Sequence, residues 1–232
     1  MGKIVGWIPP KTIDDFRLGF CSTGFYDEYK DSIAEESGII KNNYPALTGR
    51  VTIPYIVNSE VVDLLGRLID KNSSIPTYKS LFGTRQSRGS NFLFNHNVIS
   101  KSNRIIITEG EFKAIVASQY GYPVVATPGI FGWQDEWNTL LKDKEVILAA
   151  DFDKISGLRS PAYLMAKLLI KGIPHLKIAL MACAKHTTKD KIDIDSLIVA
   201  GNVKTFDNII NGAMDANIWL SMEERKGNGR KQ

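Results

Sequence analysis

The chain has 232 residues, 44% hydrophobic and 23% charged, an ordinary balance for a soluble globular protein with room for one large domain or two modest ones. No apolar run approaches the roughly 20 residues of a membrane helix, and Pro9 and Pro10 interrupt an N-terminus too short for a secretory signal, so a cytoplasmic protein without membrane contact is expected. The net charge of +4 permits nucleic-acid binding without requiring it, and Cys21 and Cys183, isolated from any CxxC or histidine spacing, argue against a structural zinc site.

The first half predicts a small mixed α+β unit. Residues 11–20 (KTIDDFRLGF) form a short helix that Thr12 can cap and Gly19 stops. A second helix is expected over residues 26–37, with Tyr29 and Ile33 at i, i+4 and Gly38 as terminator. Arg50–Val57 and Val61–Ile69 look like two strands joined by Asn58-Ser59-Glu60, a hairpin signal. Lys71–Ser90 is rich in Ser, Gly, Pro and basic residues and is expected to be loop, and Asn91–Ile99 has room for a short strand. Most of the basic residues of interest fall in this half, including Arg67, Lys71, Lys79, Arg85 and Arg88.

From Arg104 the pattern changes to strand–helix alternation. The run IIIT precedes a helix from about Glu111 to Tyr120, closed by Gly121; PVVATPG is a second strand, followed by a helix from about Gln134 to Leu141. EVILAAD is a third strand, after which Ser160 and Pro161 open a helix to Lys171; LKIALMAC is a fourth strand. Asp193 or Asp195 starts a short helix ended by Gly201, and one last helix is expected from about Thr205 to Glu224, before a basic tail. Strands alternating with crossover helices predict an α/β fold: a parallel sheet flanked by helices, with right-handed connections. The expected organisation is a basic subdomain over residues 1–100, the α/β domain over 101–202, and a C-terminal helix and tail over 203–232.

The chemistry-bearing residues lie at strand ends. Glu109 closes an apolar strand and precedes Gly110, where the chain can turn tightly beside a ligand. It can ligate a metal, act as a general base, or serve only the dipole of the next helix. Asp151 and Asp153 follow the third strand, and an i, i+2 pair in extended chain shares a face. Asp193 and Asp195 repeat the spacing, although one of them is enough to cap the helix. Carboxylates brought to one rim repel unless cations sit between them, and oxygen-only donor sets suit Mg²⁺ or Mn²⁺. No Ser/His/Asp triad, GxGxxG fingerprint or P-loop is present in the sequence.

TEGEFKA (108–114), ADFDK (150–154) and KIDIDSLI (191–198) together resemble the TOPRIM domain, whose hallmark is a glutamate after the first strand and a DxD after the third. FRLGF (16–20), GRVTIPYI (49–56), LGRLI (65–69) and PTYKSLFG (76–83) are similar, in order, to segments of bacterial-type (DnaG-like) primase catalytic cores, so the resemblance spans roughly residues 11–201. Strings such as EGEFKA and PGIFGW also resemble primases of phages and mobile elements. The resemblance implies a metal site of Glu109, Asp151, Asp153, Asp193 and Asp195, with Glu109, Asp151 and Asp153 catalytic. It implies phosphate or template contacts by Arg67, Lys79 and Arg85, with Arg50 a further candidate that can equally be a structural strand-start residue. It implies DNA-directed primer synthesis by nucleotidyl transfer, with single-stranded DNA and nucleoside triphosphates as partners, and a replicative helicase or separate zinc-binding module besides. A metal-dependent TOPRIM nuclease and a non-catalytic module that binds single-stranded DNA or a helicase are the alternatives. One position departs from the primase pattern: the residue four after Glu109, usually an aspartate there, is Lys113, which can contact a phosphate or reduce the number of metals. The chain is expected to be either a minimal primase or the polymerase core of a larger protein.

Overall fold

The computed structural model describes residues 8–22, 24, 32–69, 74–81, 92–129, 132–151, 160–181 and 194–228. The chain forms two units, Ile8–Phe92 and a second that begins at Leu93.

In the first unit, α1 (Pro10–Asp15) opens on Pro9 and Pro10, whose fixed φ and missing N–H suit a helix start. Thr12 is therefore not the cap: it lies inside the helix, buried, and the turn at Arg17 (φ 49°) leads Gly19 into a strand rather than merely ending the helix. β1 (Gly19–Cys21) precedes α2 (Ser32–Glu36), the described part of the expected second helix. A small hairpin follows, β2 (Ile40–Lys41) and β3 (Tyr44–Pro45), turning on Asn42 and Asn43, both at positive φ.

The main sheet holds β1, β4 (Arg50–Val57), β5 (Glu60–Leu68) and β6 (Tyr78–Ser80), in that order and antiparallel throughout. The β4–β5 turn uses two residues, Asn58 and Ser59, at φ 51° and 72°, and Glu60 already pairs with Val57. This is the positive-φ turn whose twist matches its strands. β6 lies inside the stretch expected to be loop; at three residues it is too short to show alternation. The described residues 92–99 hold no full strand: Phe94 makes an isolated antiparallel bridge to Ala126, and a 3₁₀ turn covers His96–Lys101.

The second unit is built on a sheet in the order β11-β10-β9-β7-β8, where β7 is Arg104–Glu109, β8 Val124–Thr127, β9 Glu145–Leu148, β10 Lys177–Ile178 and β11 Met214–Asp215. The first four of these strands in the chain run parallel, and β11 is an antiparallel edge. Helix α3 (Glu111–Ser118) joins β7 to β8, α4 (Glu136–Leu141) joins β8 to β9, and α5 (Pro161–Leu169) lies between β9 and β10. α6 (Ile194–Val199) packs on α3, and α7 (Val203–Asn211) on α6. Ile105 and Ile107 share one buried cluster with Trp137 and Leu141 of α4, Met165 and Leu169 of α5, and Trp219 of α8 (Ala216–Asn228). Ile106, between them on β7, is equally buried but outside that cluster, as the two-residue period of a strand covered on both faces requires.

The start of α5 is as the sequence predicts: Ser160 accepts from the Tyr163 N–H at 3.3 Å and Pro161 takes the first helical position. The C-terminal end differs from the single helix expected. α7 and α8 are separated by β11, whose Met214 pairs with Ile178 and Asp215 with Lys177. Asp215 then caps α8, its Oδ1 accepting from the N–H groups of Asn217 (2.8 Å) and Ile218 (3.2 Å). Among the described residues no helix is long and apolar enough to cross a membrane.

Candidate functional site

The sheet order reverses at β7: β8 lies on one side of it, β9 and β10 on the other. In open α/β sheets this switch point opens a crevice beyond the C-terminal strand ends, where ligands bind. Glu109 is the last residue of β7. The chain turns at Gly110 (φ 79°), where an added Cβ would meet nothing within 4 Å, so glycine serves its dihedral and not a lack of room. β9 runs beside β7 to the same end, and Ala149 extends the pairing by donating to the Ile107 carbonyl at 2.8 Å. Asp151 follows within two residues, buried, so Glu109 and Asp151 come to one rim.

Lys113, in the first turn of α3, closes on that rim. Its Nζ is in direct contact with Asp151 Oδ1, and the two side chains are only 13% and 8% exposed. The sequence marked Lys113 as a departure from pattern but gave no partner for it. A lysine on the first turn after a carboxylate-ended strand was the available signal. Asp195 stands in the first turn of α6, on the helix that packs against α3. Asp153, Asp193 and Arg85 lie outside the described residues. Among the described residues, no group of three or more His, Cys, Asp or Glu side chains gathers tightly enough to hold a metal ion. The carboxylate oxygens at the rim fit a hard divalent cation in kind, while one of them already faces an ammonium group.

The other end of the same sheet carries a different arrangement. Arg104 and Glu145 are register partners at the starts of β7 and β9, and Glu145 accepts from Arg104 Nε at 2.7 Å and from Lys177 Nζ at 2.8 Å. These hydrogen bonds, Arg104 first, hold the Glu145 carboxyl below its ordinary range. They tie three strands together at the end remote from the crevice.

In the first unit the candidate basic residues separate. Arg50 is 3% exposed and donates through Nη1 to the Thr77 carbonyl and through Nη2 to the Pro76 carbonyl, both at 2.8 Å. Burial lowers its pKa, and its contacts are structural ones that tie the approach to β6 onto β4. To get there it crosses Gly66, where an added Cβ would lie 2.8 Å from Arg50 Cδ and 2.9 Å from Leu47 Cδ2. Arg67 pairs with Tyr78 across β5–β6 and sets its guanidinium 5.7 Å from the tyrosine ring centroid. Lys79 is exposed and pairs with Gly66, one residue out of step with Arg67. Because neighbouring strand residues alternate, Arg67 and Lys79 occupy opposite faces of the sheet.

No family model matches the chain, and no curated protein matches its sequence. Solved structures do match in fold: the chain has the fold of DnaG-type primase catalytic cores, an α/β parallel sheet preceded by an antiparallel one. The Aquifex aeolicus primase, solved as its zinc-binding and RNA polymerase domains, aligns with a TM-score of 0.71 at 20% identity, over 97% of this chain and 58% of its own. A DNA primase domain from Pseudomonas aeruginosa gives 0.71 at 18% identity over 93% of this chain and 72% of its own. A DnaG primase catalytic domain bound to single-stranded DNA gives 0.68 at 18% identity over 93% and 71%.

Proposed function

We propose that the chain is the catalytic core of a DNA-directed primase, joining ribonucleotides on single-stranded DNA by metal-dependent nucleotidyl transfer. The observation that supports this is that Glu109 ends β7 and Asp151 follows the adjacent β9, at the switch point of a sheet with the DnaG core fold. The parallel-sheet unit serves as a TOPRIM domain. Glu109, Asp151, Asp153, Asp193 and Asp195 are the oxygen donors for Mg²⁺ or Mn²⁺. A bound ion there would offset the triphosphate charge and stabilise the charge that develops as pyrophosphate leaves. Glu109 is a ligand or the general base that takes the proton of a primer 3′-hydroxyl. Lys79 and Arg67 contact phosphates at two separate places, since they occupy opposite faces of their sheet, and Arg85 adds to them. Such contacts are salt-sensitive and indifferent to sequence.

The partners are single-stranded DNA and nucleoside triphosphates, with a helicase or a separate zinc-binding module supplying template choice. The test is incorporation of labelled ribonucleotides on single-stranded DNA, in Mg²⁺ and in Mn²⁺, beside a nuclease assay. Asp151→Ala with Asp153→Ala abolishes incorporation while the circular dichroism spectrum is unchanged; full synthesis by the folded double variant contradicts the assignment. The Lys113–Asp151 pair supports one second reading, a module that binds single-stranded DNA without turnover. It predicts DNA binding indifferent to Mg²⁺ and no incorporation with any nucleotide.

A further inference from the structure

A buried carboxylate needs a counter-charge, and a carboxylate at a ligand crevice usually leaves that requirement to an ion from solution. Asp151 does not. Its counter-charge is part of the chain: the Lys113 ammonium touches Oδ1, and both side chains are nearly withdrawn from water. The geometry is set by the backbone. Gly110 turns the chain directly from β7 into α3, which places Lys113 in the helix's first turn beside the β9 end, where Asp151 follows. An ammonium has three donors and no acceptor, so it cannot share a site as a ligand. A divalent ion binding the same oxygen would meet a like charge at close range in a poorly screened place.

We propose that Lys113 is a tethered cation that takes the place of one divalent ion at Asp151, so that the rim binds one ion fewer than its carboxylates could hold. The inference rests on the metal-dependent reading given above. Lys113 is a positioning residue here: it fixes the Asp151 carboxylate and the charge around it.

The test counts ions without nucleotide, by Mn²⁺ titration calorimetry and by electron paramagnetic resonance of free Mn²⁺. Lys113→Gln should raise the stoichiometry by one Mn²⁺ per chain over the parent, and Lys113→Arg should restore the parent count. Asp151→Asn added to Lys113→Gln should abolish the extra ion. Because Lys113→Gln takes the ammonium away from a buried carboxylate, melting temperature is measured alongside: Mn²⁺ should raise it more in Lys113→Gln than in the parent chain. Equal stoichiometry and equal Mn²⁺ stabilisation in the two proteins overturn the proposal, as does a Lys113→Gln chain that stays unfolded at every Mn²⁺ concentration. Failure of the primase reading would show separately, as absent incorporation by the parent chain whatever the ion counts.

Discussion

Gly66→Ala is the substitution whose cost can be worked most fully from the structure. The new methyl would lie 2.8 Å from Arg50 Cδ, 3.2 Å from Arg50 Cβ and 2.9 Å from Leu47 Cδ2. Leu47 can yield by moving a methyl group, but Arg50 is held by two 2.8 Å bonds to the Pro76 and Thr77 carbonyls and is almost wholly buried. If Arg50 stays, overpacking costs about 1–3 kcal/mol. If it moves, it forfeits hydrogen bonds from a charged donor, worth about 1.5–3 kcal/mol. The smaller conformational freedom of unfolded alanine returns about 0.4–1 kcal/mol. The net loss is about 0.5–2.5 kcal/mol, read as a lower urea midpoint with an unchanged slope. The decisive comparison is a double-mutant cycle. In an Arg50→Ala background the clash with Arg50 is gone, so Gly66→Ala should cost less by about 1 kcal/mol. Strict additivity of the two substitutions would refute the claim that Gly66 exists to let Arg50 cross the sheet.

Three further outcomes are expected. Glu145 is held below its usual pKa, so its contribution is complete above the unfolded carboxyl value of about 4.3 and is lost as pH falls through the folded one. With side chains a third or more exposed the ion pairs contribute about 1 kcal/mol or less, so Glu145→Gln should destabilise slightly at neutral pH and not at all at strongly acidic pH; a gap of equal size at both would sink this. Asp215→Ala should cost about 0.5–2 kcal/mol through the lost cap of α8, with Asp215→Asn retaining most of the stability in thermal melts. Tyr122 is raised above the ordinary phenol range, chiefly by burial and then by its 2.6 Å hydrogen bond to Asp207. A Cζ-labelled NMR titration should therefore show the Tyr122 midpoint above the ordinary phenol value of about 10, and Asp207→Asn should lower that midpoint.

What was legible in the sequence follows the strength of local signals. Long apolar runs with abrupt ends, such as those before Glu109 and Asp151, marked the parallel strands, and the Ser160-Pro161 pair marked the start of α5 because capping chemistry is local. The hairpin at Asn58-Ser59-Glu60 was readable for the same reason, though Glu60 belongs to the strand and not the turn. The short strands were not. β6 and β11 have three and two residues, and their pairing is fixed by partners far along the chain. Met214 and Asp215 fell within a stretch read as one helix, although Gly212 and a capping aspartate stood at the break. The candidate site divides similarly. Strand ends named Glu109 and Asp151, but the contact between Lys113 and Asp151 depends on α3 lying beside the end of β9, a tertiary fact. Arg50 carried two readings in the sequence, and its contacts with two carbonyls are structural. The placement of Arg67 and Lys79 on opposite faces needed the register of β5 and β6.

The proposed function requires Glu109 and its neighbouring aspartates to form the working centre of a primer-synthesising enzyme. It is tested most directly by Glu109→Gln, a change that keeps shape and removes charge at the end of β7. With a defined single-stranded template, labelled ribonucleotides and Mg²⁺ or Mn²⁺, the parent chain should make short products complementary to the template. The folded Glu109→Gln chain should make none with either ion. Undiminished, template-complementary synthesis by that variant would rule out a catalytic role for Glu109.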